Sequence, residues 1–416
     1  MNKEKLIPEL RFPEFKNDEK WTFEELEQCL DYLQPTPYLV ESTDYKDEYE
    51  IPVLTAGKTF ILGYTNEKEG VFRENLPVII FDDFTTASQF VDFPFKAKSS
   101  AMKILLAKND NNIKFVYEAI QNINYEVGVH QRHWISIFSK LKITIPKNPN
   151  EQQKIATCLS SLDEVIAAHS QKLELLKDHK KGLMQNLFPQ EGEKVPKYRF
   201  KEFVNDGEWI LEPFHKVYNF LVTNSFSREF LNYDNGTVKN IHYGDIHTKF
   251  SSLFDITKEN VPYINPAISI ERIREECYCL EGDMIFADAS EDLNDVGKSI
   301  EIVNLNGEKL LSGLHTLMAR QIEKKLEIGF GGHLFKTNGI RKQIQKESQG
   351  AKVLGISGTR ISNIQIYYPE NPKEQTKIAS CLSSLDTLIN AQVEKIEQLK
   401  LHKKGLMHGL FPMVKS

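Results

Sequence analysis

The stretch DVGKS (Asp295–Ser299) carries the glycine, lysine and serine that a nucleotide-binding loop folds around a phosphate. The first glycine of such a loop would fall at Asp292. Without it the turn that cradles phosphates is lost, so ATP binding by this chain is excluded. GFGGH (Gly329–His333) is too short for a dinucleotide or adenosylmethionine loop, and NPA (Asn265–Ala267) lacks the aromatic that would stack a flipped adenine. Asp82 and Asp83 stand in FDDFTT without the nearby E-x-K that a nuclease metal site requires. His130 with His133, and His242 with His247, have no carboxylate at a useful spacing. The C-x-C of Cys277 and Cys279 is joined by no second cysteine pair or histidine pair that would complete a zinc set. Neither a catalytic residue nor a metal ligand is assigned.

Two other stretches invite contact chemistry rather than catalysis. GVHQRHWISIFSK and GAKVLGISGTRISN combine glycine with basic side chains, Arg132 in one and Arg360 in the other. Glycine lets a backbone approach a phosphate closely, and arginine reaches phosphates or guanine edges. An ordinary turn with solvated charge accounts for either stretch equally well.

The elements that hold these stretches are written twice. HKKGLMQNLFP at His179–Pro189 returns as HKKGLMHGLFP at His402–Pro412, and the match extends without a gap from Glu151–Pro189 to Glu374–Pro412, an offset of 223 residues. Within the first copy Ile155, Leu159, Leu162, Ile166, Leu173 and Leu176 step by fours and threes; Ile378, Leu382, Leu385, Ile389, Ile396 and Leu399 repeat the register. That heptad is a coiled-coil seam with a left-handed supercoil. A helix of about 38 residues is roughly 57 Å long. His169 and Gln392, and Lys180 and Lys403, interrupt the two seams at matching places, where polar residues ordinarily fix register. Pro149 and Pro372 mark the helix starts. Gly182 and Gly405, beside the seam lysines, are expected to serve a close helix crossing or the docking of a partner.

A fainter repeat joins Pro8–Trp21 to Pro196–Trp209 at an offset of 188, with Arg11, Phe12, Phe15, Asn17, Asp18 and Trp21 recurring. The chain is therefore a tandem duplication of lead segment, insert and long helix. The inserts, about 27–140 and 215–363, do not visibly match. The first reads as short strands in IPVLTAGKTFILGYT, LPVIIFDDFTTASQFVDFPF and AMKILLAK, then a helix in NIKFVYEAIQNI. The second reads as strands in VKNIHYGDIHTKF, LEGDMIFADAS, KSIEIVNLN and HTLMARQIE, with a helix in FKTNGIRKQIQKES. Both are mixed domains with curled sheets. At 416 residues, 40% hydrophobic and 26% charged, the composition is that of a globular protein. No secretory leader or long apolar run is seen, so a cytoplasmic location without membrane spans is expected. A net charge of −6 argues against simple non-specific attraction to nucleic acid, although a basic face is compatible with an acidic total.

The paired EQ-x-KIA-x-CLSSLD…HKKGLM-x-x-LFP helices, with their P-x-NP-x-EQ lead-in, resemble the specificity subunits of type I restriction–modification enzymes. The resemblance covers essentially the whole chain; its helix motifs are specific as a pair and its insert motifs less so. It implies an α+β architecture: two mixed α/β target-recognition domains separated by two long helices that form an antiparallel coiled coil, with an internal pseudo-two-fold. The divisions would be 1–26 and 196–214 as lead segments, 27–140 and 215–363 as target-recognition domains, and 141–195 and 364–416 as spacer helices. It further implies a non-catalytic reader of double-stranded DNA, each domain taking one half of a bipartite asymmetric site. Two modification subunits dock on such a chain and up to two restriction subunits join them; S-adenosylmethionine, ATP and Mg2+ then belong to those partners. Two similar readers on one face of DNA are related by a two-fold, which fits antiparallel helices acting as a ruler between grooves about 34 Å apart. The expected DNA contacts combine basic, amide and aromatic character: Thr55, Lys58, Tyr64, Thr85, Thr86, Ser88, Gln131 and Arg132 in the first insert, and His242, Tyr243, Lys249, Ser357, Thr359 and Arg360 in the second. The competing reading, a coiled-coil scaffold joining two protein-binding modules, rests on the acidic total. A stand-alone enzyme is disfavoured because two inserts and two helices leave no room for a catalytic domain.

Overall fold

The computed structural model describes residues 6–55, 57, 59–123, 134, 137–350 and 352–412. The chain forms two compact units, Met1–Gln171 with Val393–Ser416, and Lys172–Gln392. Among the described residues no helix is long and apolar enough to cross a membrane.

The first unit holds strands β1 (Thr22–Glu25), β2 (Leu30–Leu33), β3 (Ile51–Leu54), β4 (Ile61–Thr65), β5 (Val78–Asp82), β6 (Ser88–Val91), β7 (Lys96–Ala97), β8 (Met102–Ala107) and β9 (Lys142–Ile145), with helices α1 (Leu26–Cys29) and α2 (Ile113–Gln121). Strands in the order β2-β8-β5-β6 make an antiparallel sheet, and β4-β3-β7 a smaller one. The apolar run VIIF of β5 is buried on both faces. Val78 and Ile80 join a core with Leu54, Phe72 and Phe95, while Ile79 and Phe81 join another with Phe115 and Val116 of α2. The two-residue strand period therefore serves both cores at once. Asp83 diverges from Asp82: its carboxylate meets Lys103 at 3.5 Å inside the unit, while Asp82 accepts from the Phe84 amide. The chain then enters the long helix α3 (Pro149–Asn186).

The second unit is built from β10 (Ile210–Pro213), β11 (Tyr218–Leu221), β12 (Leu231–Asn232), β13 (Lys239–Ile241), β14 (Leu253–Asp255), β15 (Tyr263–Ile264), β16 (Met284–Ala287), β17 (Ala289–Ser290), β18 (Ser299–Asn304), β19 (Leu310–Ser312), β20 (Thr316–Gln321), β21 (Leu354–Gly355) and β22 (Gln365–Tyr368). Its short helices are α4 (Tyr243–Thr248), α5 (Phe330–Leu334), α6 (Asn338–Glu347) and α7 (Gly358–Ile361), and the long α8 (Pro372–Leu410) follows. A five-stranded sheet, β11-β20-β16-β18-β14, stands beside a four-stranded one, β12-β15-β13-β19. The strand expected through VKNIHYGDIHTKF stops at Ile241. His242 Nδ1 accepts the Gly244 amide at 3.1 Å and starts a helical turn instead. The approach to the last strand is helical too, because Ser357 caps α7 by accepting the Arg360 amide.

The repeated motifs are explained by what they bind. In the first unit β1 pairs antiparallel with β9, and in the second β10 pairs with β22, so each lead segment closes on the strand before the long helix. Asn148 and Asn371 cap those helices by accepting the amides of Asn150 and Lys373, and they donate to Asp18 and Asp206 of the lead segments. Glu151 takes Arg11 in a bidentate pair at 2.8 Å, and Glu374 takes Arg199 at 2.7 Å, with both glutamates 1% exposed. The adjacent Gln152 accepts the Asn112 amide, as Gln375 accepts the Glu327 amide, so each glutamine holds its own insert. Lead segment, insert and helix thus meet on two consecutive residues.

Helix α3 gives residues 149–171 to the first unit and 172–186 to the second; α8 gives 372–392 to the second and 393–410 to the first. Within each unit the two helix segments run in opposite directions. In the first, Lys403 bonds Asp163 at 2.6 Å while Leu406 and Leu410 pack with Leu159, Ala156 and Ile155. In the second, Lys180 bonds Asp386 while Leu183 and Leu187 pack with Leu382 and Ile378. Each seam lysine therefore meets the aspartate of the other copy's SSLD. In the first unit Glu118, fully buried, completes the set with Lys114. Burial works against the Asp163 carboxylate, but the two lysines outweigh it and hold its pKa below the ordinary range. The close helix crossing expected at Gly182 and Gly405 is not what the structure has: a Cβ built on either meets nothing within 4 Å.

GFGGH also finds its reason here. Glu301 on β18 is 1% exposed and accepts the amides of Gly329 at 2.8 Å and Gly332 at 2.6 Å. A Cβ on Gly332 would meet the Leu253 side chain at 2.5 Å. Burial raises the Glu301 pKa to about 7 against the pull of those two amides. A raised folded pKa means that the folded state keeps a proton the unfolded state loses. This contribution is full below about pH 4.5 and disappears as the pH rises through about 7. The stability difference between the native chain and Glu301→Gln is expected to change by about 3 kcal/mol over that window and stay flat above it, as read by urea denaturation at each pH.

Candidate functional site

In the second unit, α4 and the loop before β20 bring together side chains that the sequence keeps far apart. Asp245, 1% exposed, is the anchor. It accepts both Arg228 Nη atoms at 2.8 and 2.9 Å and Lys249 Nζ at 3.0 Å. Tyr233 accepts from both cations at 3.2 Å. Burial acts to raise the Asp245 pKa, but the hydrogen bonds from Arg228 and Lys249 prevail and hold it below the ordinary range. The Tyr243 ring lies 4.7 Å from His242 and 5.3 Å from His315. Burial and the neighbouring Arg228 push the His242 pKa down, so this ring is neutral. His315 is exposed, has φ +57°, and its Nδ1 lies 3.2 Å from Asp288 Oδ1. The result is a polar, aromatic face held from below by one buried carboxylate.

Of the expected contacts, His242, Tyr243 and Lys249 meet in this cluster. Ser357, Thr359 and Arg360 lie on the capping turn of α7, joined to it through the Ile356 amide, which donates to Asp288 O at 2.8 Å. Ser357 and Thr359 are exposed. Arg360 is engaged with Glu347, at 2.8 Å to the backbone oxygen and 3.6 Å to the carboxylate.

In the first unit the expected residues fall on two different sheets. Thr85 and Thr86 form the β5–β6 turn, Thr86 with φ +58°, and Ser88 opens β6 with its hydroxyl accepting from Gln121 at 2.9 Å. Thr55 follows β3 and donates to Thr59 O, while Tyr64 lies opposite Pro52 on β4. Lys58, Gln131 and Arg132 lie outside the described residues.

Arg228, Tyr233 and His315 were missed. None lies in a motif, and they come together only because Asp245 and the aromatic ring of Tyr243 collect them. Asp245 itself, a lone acid between a glycine and an isoleucine, was the one visible signal, since a buried acid demands cations.

The type I restriction modification DNA specificity domain matches residues 18–178 and 244–401. The specificity subunit of the Escherichia coli type I restriction enzyme EcoR124I/EcoR124II is 53% identical over 136 residues, 32% of this chain and 34% of that one. The MjaVIII specificity subunit of Methanocaldococcus jannaschii is 28% identical over 289 residues, 66% of this chain and 62% of that one. The match therefore spans about a third of the first relative's length and under two thirds of the second's. The crystal structure of the type I restriction–modification S subunit from M. genitalium covers 98% of this chain and 100% of that one with a TM-score of 0.62; at 14% identity this is likeness of fold.

Proposed function

This chain belongs to the type I restriction modification DNA specificity family, and on that premise we propose that it is the DNA-reading subunit of a restriction–modification complex. The observation that carries the reading is the contrast between the two junctions and the two inserts. The Arg11–Glu151, Asn148–Asp18 and Asn112–Gln152 bonds are matched by Arg199–Glu374, Asn371–Asp206 and Glu327–Gln375, while the β-rich inserts that they hold are unlike. One scaffold carrying two different faces suits a bipartite, asymmetric DNA site. Residues 27–140 and 215–363 are the two target-recognition domains, and the long helices form the antiparallel coiled coil that sets the spacer. The chain itself is non-catalytic. Methyl transfer with S-adenosylmethionine falls to two modification subunits docked on the helices, and ATP- and Mg2+-dependent cleavage to up to two restriction subunits. The expected contacts in each insert, from Thr55 to Arg132 and from His242 to Arg360, remain part of this proposal.

The test is to assemble the chain with its modification subunit and sequence the methylated sites. Two unlike elements separated by unspecified bases are expected, and exchanging residues 27–140 for another insert should change one element alone. A single contiguous palindrome, or DNA retention that does not fall with salt, would sink the reading.

Docking on the helices has its own consequence. A Cβ at Gly182 or Gly405 meets open space, so Gly182→Ala with Gly405→Ala is expected to stabilise the free chain by about 1 kcal/mol per site. If the modification subunit covers those positions, the same change weakens assembly, which titration of the partner by sedimentation measures.

A further inference from the structure

We propose that His242 and His315, both packed against Tyr243, read base edges through their Nε2 atoms, His242 as a donor and His315, in its neutral tautomer, as an acceptor. The inference rests on the DNA-reading function above and deepens it. Polarity follows from what each inner nitrogen meets. His242 Nδ1 receives the Gly244 amide at 3.1 Å and Arg228 Nη2 at 3.3 Å. Both are obligate donors, so Nδ1 holds a lone pair and the proton is on Nε2. His315 Nδ1 faces the Asp288 carboxylate at 3.2 Å, which only accepts, so a proton sits on Nδ1 and the neutral tautomer carries its lone pair on Nε2.

Among the described residues neither Nε2 has a hydrogen-bond partner within the protein. Neither ring is free to choose its tautomer, because each inner partner is itself held. Arg228 is pinned by Asp245, and the Asp288 backbone is pinned between the His315 oxygen and the Ile356 amide. His315 also stands in the left-handed backbone region at φ +57°, at the head of β20, a conformation that histidine tolerates better than most residues. The Tyr243 ring packs against both, with centroids 4.7 and 5.3 Å away. An N–H selects the acceptor edge of a purine in the major groove; a lone pair selects the exocyclic amine of cytosine or adenine. Arg228 is occupied by Asp245 and acts as a positioning residue.

The experiment uses the full chain assembled with its modification subunit, acting on a randomised DNA library whose methylated molecules are sequenced. His242→Asn keeps an oxygen that can cap α4 but removes the outward N–H. His315→Ala removes the Nε2 acceptor at an exposed position. Each variant is expected to relax one base position, a different one for each histidine, by about 5- to 10-fold. Both positions should lie in the same half-site, with the other half-site unchanged. Asp288→Asn, which frees the tautomer, should relax the His315 position alone. Unaltered base preference in folded, active variants would overturn the inference and leave the DNA-reading function standing. So would a uniform loss over all sequences with a shallower salt dependence, which is the mark of a phosphate contact. Absence of any sequence-specific methylation by the native complex would instead overturn the underlying reading.

Discussion

Replacing Glu374 with alanine is expected to cost the second unit about 3–5 kcal/mol, measured as a fall in the urea midpoint. The magnitude follows from what is left behind. Arg199 is 7% exposed in its side chain, and both of its contacts to Glu374 are 2.7 Å long. Removing the carboxylate strands a guanidinium that cannot lose its proton, with the Gly207 oxygen as its remaining hydrogen-bond partner among the described residues. The lead segment then keeps only the Asn371–Asp206 bond of the two described above at the start of α8. Removing Arg199 as well should cost much less than the two single changes added together, because the stranded charge goes with it. The same change at Glu151 should act on the first unit, and there it also deprives Trp21 Nε1 of its acceptor at 3.2 Å.

Phe411→Ala is the second large effect, again about 3–5 kcal/mol. Phe411 stacks on Phe115 at 5.2 Å and meets Trp21 edge-on at 6.0 Å, in a core that also holds Ile155 and Leu159. Truncation leaves a cavity between two aromatic groups, Trp21 and Phe115, whose backbones are fixed by the β1–β9 pair and by the N-terminal cap of α2. Hydrogen exchange should locate the loss in the first unit, with the equivalent set of Phe188, Trp209 and Phe330 in the second unaffected.

Much of this was readable from sequence because the scaffold is written twice. The recurrence of Arg11 and Asp18 as Arg199 and Asp206 signals a shared job, and the structure gives that job as holding Glu151 or Glu374 and Asn148 or Asn371. The inserts were legible only as types of element. Phe115 and Phe330 are equivalent, yet nothing in their neighbourhoods says so; only the matching Phe411 and Phe188 packed on them reveal it. In that register Glu118 corresponds to His333, so the acid that completes the Lys403 set in the first unit is a histidine bonded to Ser383 in the second. The turn at His242 was misread as strand because a side-chain cap two residues long leaves no periodicity to see. His315 was missed for a similar reason: its backbone conformation, not its neighbours in sequence, makes it prominent.

The division of the chain has a consequence for biosynthesis. Residues 1–171 wait for 393–411 before the Trp21 and Phe115 core can close, and the ribosome makes the whole second unit in between. At about 5–20 residues per second the delay is roughly 10 to 50 seconds. For that interval the nascent first unit offers an open aromatic face to anything nearby. Chaperones that recognise such faces should crosslink to it until Phe411 emerges, and then release it.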